Sequence, residues 1–126
     1  MAAFKKFEDI KAWQKARQSS RLIYKLSSQG EFAKDFALKD QTRRSSISIM
    51  GNIAEGFGRR SNKEFANFLN IAHGSATEVQ SHLYVALDLD YVKQDAFNEV
   101  YEALEEISRM IVSLIQHLQN DPKRTL

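Results

Sequence analysis

The sequence predicts an all-α protein, an antiparallel up-and-down bundle of four helices. Three observations carry that prediction. Apolar residues recur at helical spacing through four long segments when each residue is advanced by about 100°. The breaks between the segments are short and hold turn-forming residues. Helix breakers are scarce, with five glycines and one proline, Pro122, in 126 residues. A chain of that length can bury one core, and residues 1–126 are expected to form a single domain.

The first helix is expected over about residues 8–28, closing at the turn signal Ser27-Ser28-Gln29-Gly30. Ala12, Trp13, Ala16, Ser20, Ile23 and Tyr24 fall on one side. Lys11, Lys15, Arg17, Arg21 and Lys25, with Gln14 and Gln18, fall on the other. The second helix is expected over about residues 38–57, with a broad apolar side of Ser46, Ile47, Ile49, Met50, Ile53, Ala54 and Phe57. The third, about 62–89, starts at Ser61-Asn62-Lys63-Glu64, a capping box in which serine and glutamate satisfy each other's free backbone donors. Its core stripe is Phe65, Phe68, Leu69, Ala72, Ala76, Val79, Leu83, Ala86 and Leu87. The fourth, about 95–120, buries Phe97, Val100, Tyr101, Leu104, Ile107, Ile111, Ile115 and Leu118 and turns Asp95, Glu99, Glu102 and Glu106 to water. Pro122 stops it, and the last residues read as a frayed tail. Helices of this length, about 30–40 Å at 1.5 Å per residue, pack side by side when joined by short loops.

Apolar residues make up 43% and charged residues 27%, the balance of a folded globular protein. The chain has no cysteine, so thiolate metal sites and disulfides are excluded, and a reducing compartment fits. The opening MAAFKKFEDIKAWQ holds no apolar run long enough for a signal peptide or a membrane span, so a cytoplasmic protein is expected. The net charge of +2 hides an asymmetry. Residues 1–63 carry 14 Lys/Arg against 6 Asp/Glu, and residues 64–126 carry 4 against 10. Either the halves attract each other, the basic first helix beside the acidic fourth, or a basic face is kept for a polyanion.

Two helices have more apolar surface than one core needs. Ile71, Val85 and Leu89 lie off the core stripe of the third helix, with His82 and Glu78 in the same sector, and Met110 and Leu114 extend the fourth helix's arc. Such a patch predicts a contact between copies of the chain.

The second helix also carries a polar ribbon. Gln41, Arg44, Ser48, Asn52, Glu55 and Arg59 fall within about 80° of one another, beside Ser45 and Gly56. Small side chains at Ser45, Ser48, Asn52 and Gly56 predict a close seam with a neighbouring helix or subunit. Gly51 and Gly56 each cost about 1 kcal/mol against alanine inside a helix, a cost that close backbone approach or a helix end near Gly58 would offset. Glu55 and Arg59 are spaced for an ion pair. Glu55 and Arg44 lie about 16 Å apart along the axis, too far to pair except across a subunit boundary.

The ribbon lacks the makings of a catalytic centre. Glu55 is its one acid, no histidine lies in the helix, and His73, His82 and His117 are dispersed. Glu78 and His82 are spaced i, i+4, not as the Glu-x-x-His of di-iron bundles, and no phosphate loop or H-E-x-x-H is present. No enzyme activity, cofactor or metal is therefore expected.

FEDIKAWQKA at residues 7–16, and the run from Gln41 to Ser75 with its sharpest piece S-I-x-x-N-I-A-E-G at Ser48–Gly56, followed by Gly58-Arg59 and F-L-x-I-A at Phe68–Ala72, closely resemble the 23S rRNA intervening-sequence protein family. The likeness runs through nearly the whole chain. Two departures bear on local geometry: Met50 where members often have proline, and QGEFAKDF where members carry Phe-Pro. The resemblance implies a four-helix bundle. It further implies kinship with the accessory variability proteins of diversity-generating retroelements, basic barrels that bind nucleic acid and a reverse transcriptase. By that likeness the chain would assemble into a ring-shaped homopentamer, with a possible protein partner of the reverse-transcriptase kind. It implies no established reaction.

Two readings of function stand side by side. In one, a non-enzymatic oligomeric scaffold binds RNA or DNA through Lys11, Lys15, Arg17, Arg21 and Lys25, aided by Arg59, Arg60 and Lys63 at the second loop. No aromatic residue interleaves with these cations, which argues against base stacking. In the other, the basic face is merely solvated, and the protein is a structural or protein-interaction oligomer that binds no nucleic acid.

Overall fold

The computed structural model describes residues 4–120. A 3₁₀ turn at Phe7–Asp9 leads into α1 (Lys11–Leu26), a short α2 (Gly30–Lys34), and three long helices, α3 (Phe36–Phe57), α4 (Asn62–Asp88) and α5 (Gln94–Gln119). Pro122 and the tail expected after it lie outside the described residues.

The local chemistry sets the boundaries, which differ from the sequence expectation in several places. Asp9 Oδ2 accepts from the backbone N–H groups of Lys5 and Lys6, at 3.1 and 3.2 Å, and Ile10 is extended, so α1 starts at Lys11 and not near Glu8. Between α1 and α3 the chain forms α2 instead of a plain loop, turning at Gly30, whose φ of +54° suits glycine. Asp35 then caps α3, its Oδ1 accepting from Leu38 N at 3.1 Å, and the helix begins two residues before the expected Leu38.

At α4 the expected cap forms: Ser61 Oγ accepts from Glu64 N at 3.1 Å. The reciprocal bond differs, because the Glu64 carboxylate accepts from the Ser61 hydroxyl at 3.2 Å and not from backbone. α4 ends in a Schellman turn. Asp90 takes φ +60°, Tyr91 N donates to Ala86 O at 2.8 Å and Asp90 N to Leu87 O at 3.0 Å.

Cross-helix pairs give the topology. Ser20 shares a 2.9 Å bond with Ser46 while Ser27 meets Arg43, so α1 and α3 run antiparallel. Ser48 pairs with Ser75 and Gly56 abuts Phe65 and Phe68, which makes α3 and α4 antiparallel. Gln80 donates to Glu105, and Asn62 Nδ2 to Leu118 O, so α5 runs back along α4. α5 in turn packs on α1, and the ring of four long helices closes. The core they enclose includes Ile23, Ile49, Ile53, Phe65, Leu69, Leu83, Leu104, Ile107, Ile111 and Leu118.

Candidate nucleic-acid interface and subunit surface

Lys11, Arg17, Arg21 and Lys25 are exposed on α1. Trp13, Gln14, Arg17, Gln18 and Arg21 line a depression of ≈ 420 Å³ there. Lys15 is not free: its Nζ lies 3.3 Å from Glu106 on α5, with both side chains about two-fifths exposed (42% and 43%). The attraction expected between basic and acidic halves thus takes the form of one interhelical ion pair among the described residues. An exposed pair of this kind is worth at most about 1 kcal/mol.

Aromatic rings do border the basic face, contrary to the expectation from sequence. Tyr24 is 38% exposed and leaves the core side assigned to it, while Trp13 keeps its place against the core but is only half-buried. Both sit at the edge of α1 that faces α3, where a cation covers each ring. Arg17 lies 5.9 Å from the Trp13 ring centroid and Arg43 lies 4.4 Å from that of Tyr24.

At the α3–α4 loop, Arg59, Arg60 and Lys63 are exposed. Arg59 Nη2 donates to Glu55 Oε2 at 2.8 Å and its guanidinium lies 4.7 Å from the Phe68 ring centroid. This loop is at the end of the bundle where α1 begins, since Phe4 packs edge-on against Phe57.

The structure divides the polar ribbon of α3 in two. Asn52 Nδ2 donates to Ser48 O at 2.8 Å and Ser48 Oγ at 2.9 Å, and Ser48 shares a 2.9 Å bond with Ser75 on α4. Ser45 and Gly56 are buried. An added Cβ on Gly56 would meet Phe68 Cβ at 2.6 Å, so close helix approach accounts for this glycine. α3 also ends where expected, at Phe57 with Gly58 as its C-cap, although the cap's φ of −74° is an ordinary one that does not itself require glycine. Arg44, Glu55 and Arg59 form the outer edge. Gly51 has nothing within 4 Å of an added Cβ, so no contact within the chain accounts for it.

On α4, Ile71, Val85 and Leu89 are 52%, 43% and 51% exposed. His82 departs from them: it is largely covered, its Nε2 lies 3.7 Å from Glu78 Oε2, and its Nδ1 is buried without a partner. Ile47 on α3 is 48% exposed and leaves the core side assigned to it, adding to the uncovered apolar surface. Met110 and Leu114, by contrast, are half-buried in a groove against the start of α1.

Sequence reasoning missed Arg43. Its Nε donates to Ser27 Oγ at 2.7 Å, and its Nη2 to Ser28 Oγ at 2.9 Å and Tyr24 O at 3.3 Å, clamping the C-terminal end of α1, where a cation is favoured by the helix dipole. Its signal was an arginine facing the Ser27-Ser28 turn. Two tyrosines have pKa values raised above the ordinary one, and both lie away from the basic face. Tyr91 is raised by its hydrogen bond to Asp35, with burial and the charges of Asp35 and Glu31 adding to it. Tyr101 is raised by its hydrogen bond to Tyr84, then by its electrostatic coupling to Tyr84, by burial and by the Glu105 charge. Among the described residues, no three His, Asp or Glu are grouped to hold a metal ion, and no helix is long and apolar enough to cross a membrane.

An all-helical bundle with a basic face and an uncovered apolar stripe defines the class of protein. The chain belongs to the 23S rRNA-intervening sequence protein family, whose model matches residues 8–113. Its fold is also similar to a crystal structure of a protein of unknown function from the S23 ribosomal protein family of Bacteroides thetaiotaomicron. The two are 27% identical with a TM-score of 0.76, over 83% of this chain and 98% of that one. No curated protein matches the chain.

Proposed function

We propose that this protein is a non-enzymatic scaffold that assembles into a ring-shaped homopentamer and binds nucleic acid through the outer face of α1. The observation that carries the reading is the cluster of exposed Lys11, Arg17, Arg21 and Lys25 on one helix face, with no ion pair among the described residues to neutralise them. The exposed Ile71 and Val85 on α4, with Leu89 at its C-cap, support assembly, since water disfavours several large apolar side chains uncovered along one side of a helix. A ring would repeat a weak basic patch and raise its avidity without new contacts. Binding of this kind rests on phosphate neutralisation and counterion release, so it is sequence-independent and falls steeply with salt.

The test is retention of labelled RNA and DNA across a salt series, with Lys11, Arg17, Arg21 and Lys25 all changed to glutamate as the comparison. Lys15 is left alone because it holds Glu106. Wild type should bind at low salt, with log affinity falling by about 0.7–0.9 per neutralised phosphate for each decade of salt. Equal retention by wild type and variant would remove the proposal.

One observation favours the second reading, a structural or protein-interaction oligomer. Two of the proposed contacts, Lys15 and Arg59, are already engaged by Glu106 and Glu55. On that reading retention is negligible at any salt. An enzyme would instead show an activity abolished by Glu55→Gln with assembly intact.

A further inference from the structure

Between the first turn of α1 and the second half of α5 the bundle leaves a groove of ≈ 600 Å³. Its floor is apolar. Ile10 and Ala12 are buried there, with Phe4, Met110 and Leu114 half-buried around them. Its rim is basic: Lys11 and Arg109 line it and make no ion pair among the described residues. The one acid on the rim, Glu106, is already held by Lys15. His117 also lines the groove, and its Nε2 is buried with no hydrogen-bond partner. That atom has no surface open to the groove, so it offers a ligand no contact, and the groove's free charged groups are Lys11 and Arg109.

These features describe one kind of ligand. The volume falls within the range of small-molecule sites, which are mostly apolar with a few convergent polar groups. An apolar floor rewards a hydrocarbon body. A rim with two unneutralised cations selects a negative head and rejects a positive one. We infer that this groove binds an aliphatic monocarboxylate, its hydrocarbon body against Met110 and Leu114 and its carboxylate at Lys11 and Arg109. Arg109 can grip both carboxylate oxygens at once, which a lysine cannot. The site is separate from the proposed nucleic-acid face, sharing only Lys11 with it, and does not depend on that reading.

Isothermal titration of the full chain tests this with three probes of equal tail length, decanoate, decan-1-ol and decylammonium, each below its micelle-forming concentration. Decanoate should bind at least tenfold more tightly than the alcohol, and decylammonium should not bind. Arg109→Gln should erase the preference for acid over alcohol, and Leu114→Gln should weaken both by tenfold or more. Lys11→Gln provides the same charge test should Arg109→Gln fail to fold, as judged by its circular dichroism. Absence of decanoate binding, equal binding of acid and alcohol, or an acid preference that survives loss of either cation would each overturn the assignment.

Discussion

Gly56→Ala probes the closest helix approach in the bundle. An ideal Cβ at Gly56 would lie 2.6 Å from Phe68 Cβ, 3.0 Å from Phe65 Cδ1 and 3.3 Å from Phe65 O. Non-bonded carbons rest about 3.5–4.0 Å apart, so Phe68 Cβ would have to withdraw by about 1 Å. That atom is bonded directly to the backbone, and no rotamer change can move it away. α4 itself must shift, against α3, Arg59 and the core behind it. Overpacking costs about 1–3 kcal/mol, and a clash on a Cβ that only backbone movement relieves belongs to the upper part of that range, about 2–3; alanine's better helix propensity returns about 1, leaving a net loss of about 1–2 kcal/mol. For a chain of this size the melting temperature should fall by about 4–8 °C. Urea unfolding at fixed protein concentration should show the lower midpoint with an unchanged slope. Gly51→Ala is the control: with nothing within 4 Å of its Cβ, it should stabilise the folded subunit by about 1 kcal/mol. A Gly56→Ala protein as stable as wild type would refute the reasoning.

Three further outcomes are expected. Ser19 Oγ is buried without a partner, so Ser19→Ala should raise stability by about 1 kcal/mol, read as a higher urea midpoint. Asp90 holds the left-handed position of the Schellman turn, so Asp90→Gly should stabilise by about 1 kcal/mol, and a loss on that substitution would contradict the turn assignment. The Tyr91 hydroxyl donates to Asp35 at 2.9 Å, which raises its folded pKa above the unfolded value of 10.0. The sign follows from linkage: its contribution is complete below pH 10.0 and is lost as pH rises through the higher folded value. The stability difference between wild type and Tyr91→Phe should therefore be flat through neutral pH and shrink only above that point, and a difference that shrinks on acidification instead, within the neutral range, would oppose it.

The fold was legible where one helix face decides burial and a cap marks the end. Ser61 and Glu64 announce α4, and its core stripe from Phe65 to Ala86 needs no neighbour to be recognised. The start of α3 was missed because Asp35 both ends α2 and caps α3, so no glycine or proline beside it marks the break. α1 was drawn too long because an acid three or four residues after Lys5 and Lys6 can fold back into a 3₁₀ turn as readily as it can start a helix.

The candidate site was less legible. A helical wheel orders residues around an axis but does not say which neighbour covers each angle. Tyr24 and Ile47 were assigned inward, yet both lie at helix edges: Tyr24 is covered by the Arg43 guanidinium and Ile47 is about half exposed. His82 was assigned outward and is largely covered. The groove between α1 and α5 was invisible for the same reason, being formed by the edges of helices far apart in sequence. Lys15 could be named as basic, but its partner Glu106 lies on another helix.

The proposed function turns on assembly, because a second copy covering Ile71 and Val85 would give their exposure a physical reason. Mass in solution by light scattering tests this most directly, using the 14.5 kDa chain and a variant with Ile71 and Val85 both changed to lysine. The prediction is a mass of five chains for wild type and a smaller, still helical species for the variant. A wild-type protein that remains a single folded chain at high concentration would contradict it.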